Sequence, residues 1–221
     1  MKTVLITGAN KGLGLQLAET FAGDGFSLIL HSRGPLPYLG FPIPSGVYPQ
    51  GDLRSQKTID ALASAAQVKG LDILINNAGV HLSKPFLDMT IEEIREVIEV
   101  NLIAPILLTK AVWPIFLRQN SGLVININSL SNSQGGPGEA IYAASKAGLA
   151  GFSQTVQYDA TRAGIRVINL NFGAMQTDMG QGRADSDKFI DPRDAARAIL
   201  GFCQDYPSLR VTSADLKRRI Y

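Results

Sequence analysis

Tyr142 and Lys146 are the residues whose types and spacing most clearly allow chemistry. They stand four positions apart in a helical stretch, so both side chains lie on one face of a helix. A free tyrosine has a pKa of about 10, which is too high for efficient proton transfer near neutral pH. We expect the neighbouring ammonium of Lys146 to favour the phenolate and to lower that pKa. The pair could then exchange a proton with an alcohol or carbonyl oxygen.

Ser129 is a third candidate, because it ends a strand-like run upstream of Tyr142. Ligands of open α/β sheets bind at the carboxyl ends of the strands, so we expect its hydroxyl near the same substrate. A hydroxyl placed there can donate a hydrogen bond to an oxygen on which charge develops during a reaction.

The segment Thr7–Gly14, TGANKGLG, follows a strand-like run and precedes a helical one. Glycines at Gly8, Gly12 and Gly14 permit a tight turn whose backbone N–H groups can approach a diphosphate at the helix N-terminus. Glycine-rich turns of this kind also occur without a ligand, so the segment predicts nucleotide binding only together with its strand–turn–helix context.

The end of the second strand, His31-Ser32-Arg33, indicates the type of nucleotide. NAD-binding sites usually place a carboxylate there for the ribose 2′-hydroxyl, and this chain has none. Arg33 and Lys11 could hold a 2′-phosphate through charge-assisted hydrogen bonds, and Ser32 could donate a further one. The sequence therefore favours NADP over NAD, although each base could also be an ordinary solvated surface residue.

Short β-branched runs alternate with helical stretches along the chain, which predicts one α/β domain over residues 1–221 with a doubly wound parallel sheet. About seven strands are expected, at Thr3–Thr7, Phe26–Leu30, Val47–Leu53, Asp72–Asn76, Leu123–Ser129, Arg166–Phe172 and Leu209–Thr212. Helices are expected near Leu13–Ala22, Ser55–Gln67, Ile91–Arg118, Ala140–Ala163 and Pro192–Asp205.

Local signals support several of these boundaries. Thr90 with Glu93 fits a capping box, and Asp191-Pro192 fits an N-cap followed by proline at the first helical position. The stretch Gly34–Gly46 contains four prolines and no helical period, so we expect a loop.

The composition excludes several kinds of protein. Cys203 is the single cysteine, so an intrachain disulfide is impossible, and it does not form a recognisable metal site with the two histidines, His31 and His81. A net charge of +2 gives no reason to expect a nucleic-acid or membrane partner. The short apolar run at the N-terminus predicts no signal peptide, and we expect a cytoplasmic protein.

Taken together, these motifs resemble the short-chain dehydrogenase/reductase family from Thr3 to about Thr177. The resemblance rests on TGANKGLG, on NNAG at Asn76–Gly79, on Asn101, on the set of Ser129, Tyr142 and Lys146, and on Gly173 to Thr177. It implies a Rossmann-type fold and hydride transfer between a nicotinamide cofactor and a carbonyl or alcohol carbon. Tyr142 would be the acid/base, and Asn101 would support a water that links Lys146 to solvent.

The resemblance also implies a cofactor site and an assembly. Asp52 would accept from the adenine amino group, although it could instead cap the next helix. The helices near Ile91–Arg118 and Ala140–Ala163 would form a homodimer, possibly extended to a tetramer. The implied cofactor-binding residues are Gly8, Asn10, Lys11, Gly12, Leu13, Gly14, Ser32, Arg33, Asp52, Leu53, Asn77, Ala78, Gly79, Tyr142, Lys146, Gly173 and Thr177.

The chain departs from the family's pattern in segments that determine substrate choice. Phe172-Gly173 stands where Pro-Gly is common, and the region after Thr177 is short. The substrate is a small molecule, either hydroxylated or charged, as the polar loops with His81 and Glu139 suggest, or an acyl-thioester ketone. A non-catalytic NADP-binding sensor is the alternative from another class, and a sugar-nucleotide-modifying enzyme of the related extended type is a further one. The intact catalytic set speaks against a sensor, and the short C-terminal region speaks against the extended type.

Overall fold

Strands and helices alternate in the computed structural model, which describes residues 1–36, 46–178, 185–205 and 208–218. Within these residues the strands are Thr3–Thr7 (β1), Ser27–His31 (β2), Ile73–Asn76 (β3), Gly122–Ser129 (β4), Ile165–Phe172 (β5) and Ser213–Leu216 (β6). The α-helices are Gly12–Gly23 (α1), Gln56–Lys69 (α2), Ile91–Ile98 (α3), Ala104–Gln119 (α4), Ala140–Arg162 (α5) and Pro192–Phe202 (α6). All strands pair in parallel, in the order β2-β1-β3-β4-β5-β6, which confirms the doubly wound α/β sheet.

The central strands are buried on both faces, as their continuous apolar runs predict. In β1, Val4 and Ile6 face a core that includes residues of α1 and α6, whereas Leu5 faces a second core built with α2, α4 and α5. Two helical layers therefore cover the sheet and leave its carboxyl edge for a ligand.

Two of the predicted strands differ from the structure. Val47–Leu53 makes only the isolated bridges Ile29↔Val47 and Ser32↔Gln50, and the described sheet has six strands rather than about seven. Pro49 interrupts this segment, and proline cannot donate to a strand ladder.

The last strand lies at Ser213–Leu216 instead of Leu209–Thr212. Side chains fix this position, because the Ser213 hydroxyl donates to the Asn169 carbonyl oxygen over 3.1 Å and Asn171 donates to Asp215 over 2.8 Å. A propensity argument does not detect such contacts.

The predicted helix Ile91–Arg118 consists of α3, a π-helical turn at Glu99–Ile103, and α4. Thr90 and Glu93 form the predicted capping box. The whole stretch Ile91–Gln119 is long and apolar enough to cross a membrane, but half of its most apolar window is buried inside the protein, as in a core helix. The π turn buries Asn101, which is 1% exposed.

Two further predictions concern a helix cap and a loop. Asp191 caps α6 by accepting from the Arg193 amide over 2.8 Å, with Pro192 at the first helical position, as predicted. The loop expected at Gly34–Gly46 falls mostly on residues 37–45, which lie outside the described residues, as do residues 179–184 of the segment after Thr177.

Candidate active site

The turn between β1 and α1 has room only for glycine at two positions. A Cβ on Gly14 would lie 2.0 Å from the Gly8 carbonyl oxygen. Gly8 itself has a φ of +69°, and a Cβ there would meet the Ala78 Cα at 3.0 Å. The backbone is therefore bare where a flat or anionic ligand group would approach it.

The end of β3 fixes this turn. Asn77 donates from Nδ2 to the Thr7 carbonyl oxygen over 2.8 Å, and the Thr7 hydroxyl oxygen accepts from the amides of Asn77 and Ala78, each over 3.0 Å. Lys11 is the N-cap of α1, and its side chain makes no capping hydrogen bond. Uncapped amides beside a glycine cradle fit the diphosphate of a dinucleotide.

At the end of β2, Arg33 is exposed, and its guanidinium lies 3.6 Å from Glu96. The Ser32 side chain is fully buried, and its hydroxyl donates to the Gly34 carbonyl oxygen. Lys11 Nζ lies 2.9 Å from Asp178. Both candidate bases for a 2′-phosphate are thus paired with carboxylates. The Ser32 hydroxyl already donates a hydrogen bond within the protein.

Asp52 is held by Arg54, a residue that the sequence reasoning did not single out. The guanidinium donates to both carboxylate oxygens, and the Arg54 amide donates to one of them over 2.9 Å. The hydrogen bonds from Arg54 hold the pKa of Asp52 below its ordinary value. The carboxylate therefore stays charged and can still accept from an adenine amino group with a free lone pair.

Tyr142 and Lys146 meet Ser129 at the carboxyl edge of the sheet. Both residues of α5 are buried, at 9% and 6% exposure, and Lys146 Nζ donates to the Ile127 carbonyl oxygen of β4 over 3.0 Å. The ammonium lies 5.8 Å from the centre of the tyrosine ring, and the Ser129 hydroxyl is near enough to the phenol to lower its pKa. The structure thus brings together the three side chains that the sequence predicts.

Asn101 joins this cluster from the π turn. Its Nδ2 donates to the Val80 carbonyl oxygen over 2.8 Å and to the Ser145 hydroxyl over 3.2 Å, and its Oδ1 accepts from the Val80 amide over 2.8 Å. A Cβ on Gly79 would lie 3.3 Å from Asn101 Oδ1 and 3.9 Å from Lys146 Nζ. Asn101 therefore ties the loop after β3 to α5 beside the lysine.

Burial shifts the pKa values of Tyr142 and Lys146. Burial raises the pKa of Tyr142, the nearby Ser129 hydroxyl lowers it, and the charge of Glu139 raises it, with a net rise. Burial lowers the pKa of Lys146 to about 8. The expected lowering of the tyrosine pKa by the ammonium is thus wrong for the protein alone, because loss of solvation outweighs any attraction to Lys146.

A row of asparagine side chains crosses the strands next to the site, and the sequence reasoning missed it. Asn128 Nδ2 donates to the Lys146 carbonyl oxygen over 3.0 Å and to Asn169 Oδ1 over 2.9 Å. Asn171 Oδ1 accepts from Asn169 over 2.7 Å and from Asn132 over 2.8 Å. The N-x-N repeats of β4 and β5, read in parallel register, are the signal that could have revealed it.

The remaining predicted cofactor residues lie in different parts of the structure. A Cβ on Gly12 would meet Thr177 Cγ2 at 3.2 Å, so Thr177 lies against the glycine turn. The Gly173 amide donates to the Leu216 carbonyl oxygen over 2.9 Å, Leu13 and Leu53 are buried core residues, and Asn10 lies in the turn before α1.

Within the described ranges no group of three or more histidine, cysteine or carboxylate side chains could hold a metal ion. Cys203 is buried, as predicted, and burial raises the pKa of its thiol to about 12.

The sequence model of the short chain dehydrogenase family matches residues 2–188 of this chain. The chain belongs to the short-chain dehydrogenase family. As a member, it is an oxidoreductase of CH–OH and C=O groups with a single sheet of Rossmann type.

Relatives within the family differ in what they act on. The chain is 36% identical over 176 residues to a peroxisomal hydratase-dehydrogenase-epimerase of Saccharomyces cerevisiae, a match that covers 76% of the chain but only 19% of that longer protein. It is 33% identical over 187 residues to a 3-oxoacyl-[acyl-carrier-protein] reductase of Synechocystis, covering 80% of the chain and 76% of that enzyme.

Solved structures of similar short-chain dehydrogenases contain nicotinamide cofactors of both types. A metagenomic short-chain oxidoreductase in complex with NADP is 25% identical with a TM-score of 0.86, covering 99% of this chain and 98% of that one. A 4-hydroxyisoleucine dehydrogenase complexed with NADH is 26% identical with a TM-score of 0.88, covering 99% and 97%. A nicotinamide cofactor is thus common to these neighbours, and the choice between the two forms is not.

Replacing Lys146 with methionine tests the buried ammonium. The folded protein releases this proton at about pH 8, whereas an unfolded lysine keeps it to about 10.5, so raising the pH through this range favours the folded state. Relative to the methionine variant, the free energy of unfolding of the wild type should rise on the order of 3 kcal/mol. Urea denaturation at a series of pH values measures this difference, and parallel curves for the two proteins would contradict it.

Proposed function

We propose that this chain is an NADP-dependent dehydrogenase or reductase in which Tyr142 is the acid/base for a carbonyl or alcohol oxygen. The single observation that carries the proposal is the buried meeting of Tyr142, Lys146 and Ser129 at the carboxyl edge of the sheet, beside the glycine cradle. A nucleotide sensor would not need these side chains to converge.

The side chains divide the chemistry as follows. When bound, NADPH supplies the hydride that reduces the carbonyl carbon. Tyr142 donates its phenolic proton to the oxygen, and Ser129 donates a hydrogen bond to the same oxygen as negative charge develops on it. In the oxidative direction the phenolate of Tyr142 takes the alcohol proton.

Lys146 supports Tyr142 in both directions. Its ammonium is desolvated and has one hydrogen bond to the sheet, from Nζ to Ile127, which leaves further donors for the ribose hydroxyls of a cofactor. A bound oxidised nicotinamide would add positive charge beside the phenol, and this charge offsets the rise in pKa that burial causes. Asn101 holds the neighbouring loop so that a water can reach the lysine.

The preference for NADP rests on the charges at the adenosine end. Arg33 is exposed at the end of β2 and Lys11 at the start of α1, and no carboxylate follows the second strand. A 2′-phosphate carries about two negative charges. It would replace Glu96 as the partner of Arg33 and Asp178 as the partner of Lys11. The buried Ser32 contributes to the preference chiefly because a carboxylate at its position would repel the 2′-phosphate.

Exchanging these charges should reverse the cofactor preference. Each charge-assisted contact is worth about 1.5–3 kcal/mol, so we expect the wild type to prefer NADPH over NADH by about two orders of magnitude. The double variant Ser32→Asp, Arg33→Ala should prefer NADH, because it loses attraction and gains repulsion. Fluorescence titration with both cofactors measures this, with Arg118→Ala on α4 as a control for general loss of charge. Tighter binding of NADH by the wild type would refute the assignment.

Replacing Tyr142 with phenylalanine removes only the phenolic oxygen. We expect turnover to fall roughly 10²-fold or more, the scale of a lost general acid, with little change in NADPH affinity. Steady-state kinetics and cofactor titration measure the two effects separately. A variant that keeps near-full activity on a good substrate would show that another group transfers the proton.

For the substrate, the relative from Synechocystis supports an acyl-thioester ketone as the first compound to test. Keto sugars, quinones and simple ketones complete the panel, since the loop residues around Tyr142 are polar. The cytoplasmic location inferred from the sequence stays a prediction.

We also propose a homodimer through α4 and α5. These helices expose the apolar side chains of Leu107, Leu117 and Tyr158, at 36%, 48% and 76%. Light scattering at micromolar concentration should give twice the chain mass, and Leu117→Glu should yield monomer, because a charge at a dry interface is costly. Tyr48→Glu, at an exposed position beside β2, is the control and should leave the mass unchanged. A wild type that is monomeric would disprove the dimer, and the tetramer with it.

A further inference from the structure

Beside Tyr142 lies a pair of titratable residues that the reaction described above does not use. His81, in the loop after β3, stacks edge-on against the Tyr142 ring, with centroids 4.8 Å apart and planes at 76°. Its Nε2 lies 3.1 Å from Glu139 Oε1, at the start of α5. Both side chains are largely buried, with 22% and 12% exposure.

Glu139 is held in one orientation by three donors. Its Oε1 accepts from His81, and its Oε2 accepts from the Ser131 hydroxyl and the Gly136 amide, each over 3.1 Å. Burial alone would raise the pKa of Glu139, but the hydrogen bonds from His81, Gly136 and Ser131 hold it below its ordinary value. Because a charged carboxylate only accepts, His81 Nε2 carries the proton in this bond.

The pair also joins the two loops on either side of the tyrosine. The Lys84 amide donates to the Gly138 carbonyl oxygen over 3.0 Å, so a backbone contact lies beside the His81–Glu139 bond. Gly138 has a φ of +76°, and a Cβ there would meet the Lys84 nitrogen at 3.0 Å. The loop after β3 and the loop before α5 therefore pack closely, and the His81–Glu139 hydrogen bond joins them.

We propose that His81 and Glu139 are positioning residues for Tyr142: the pair fixes the ring between the two loops and places a charge that the phenol senses. The proposal rests on the assignment of Tyr142 as acid/base. Neither residue needs to touch the reacting atoms, since both act through the tyrosine.

The charges around the phenol give the sign of the effect. The titratable groups facing Tyr142 among the described residues are Lys146 on α5, Glu139 before α5, and His81 after β3; Ser129 on β4 is its uncharged partner. The negative charge of Glu139 opposes formation of the phenolate. Removing that charge should therefore let Tyr142 ionise at a lower pH.

The ionisation of Tyr142 can be measured without a substrate. The phenolate absorbance of each protein is recorded against pH, and the curve of the same protein with Tyr142→Phe is subtracted. We expect Glu139→Gln to move the midpoint down by on the order of one pH unit. Glu93→Gln is the matched control: it removes one carboxylate from a neighbouring segment, and glutamine can preserve the capping box. The control should leave the midpoint where it is.

The positioning role has its own readout. With a 3-hydroxyacyl thioester and NADP⁺, His81→Ala should lower kcat about 10-fold with an unchanged affinity for the cofactor, since the ring of Tyr142 loses its neighbour. His81→Gln keeps an N–H donor for Glu139 and should recover most of the loss. Melting temperatures within a few degrees of the wild type establish that the variants fold.

The outcomes distinguish a failure of the positioning role from a failure of the proposed function. If Glu139→Gln and Glu93→Gln give the same midpoint as the wild type, or if His81→Ala turns over as fast as the wild type, the positioning role is overturned. If Tyr142→Phe itself keeps full activity, the proposed function fails, whatever the absorbance titration shows. If Glu139→Gln does not fold, His81→Ala against His81→Gln decides the matter alone.

Discussion

A lysine ammonium buried at the edge of a parallel sheet is the constraint on which the site depends. Lys146 is 6% exposed, and the loss of water brings its pKa down to about 8, so the protein bears a cost to keep it charged. Among the described residues, its one hydrogen bond, to the Ile127 carbonyl oxygen, offsets only part of this cost. We propose that its remaining donors serve the ribose of a cofactor and the phenol of Tyr142.

The rest of the scaffold holds that lysine in place. A π turn directs Asn101 at the loop beside Lys146, and π turns inside helices are frequent at functional sites. On the other side, Asn128 donates to the Lys146 carbonyl oxygen of α5 and to the Asn169 side chain of β5. These bonds connect the helix to the sheet. Buried polar groups that are fully paired make a unique arrangement rigid, so α5 and the sheet edge keep one geometry.

The sequence predicts the parts of this molecule that repeat a simple pattern. β1, β3, β4 and β5 were found within one residue of their expected bounds, because buried parallel strands are continuous apolar runs. Ser129, Tyr142 and Lys146 were found because spacing along a helix and a strand end determines where they meet. β6 was misplaced, since contacts to Asn169 and Asn171 position it. The His81–Glu139 pair depends on two loops closing on each other, which no local pattern contains.

Transfer of a labelled hydride tests the central claim, that this site performs redox chemistry on carbonyl carbons. The wild type is incubated with NADPH that carries deuterium at the transferable position, together with the panel of carbonyl compounds, and the products are analysed by mass spectrometry. We expect one deuterium on the carbinol carbon of at least one product. NADPH that binds but transfers no deuterium to any compound of the panel would contradict it and favour a sensor.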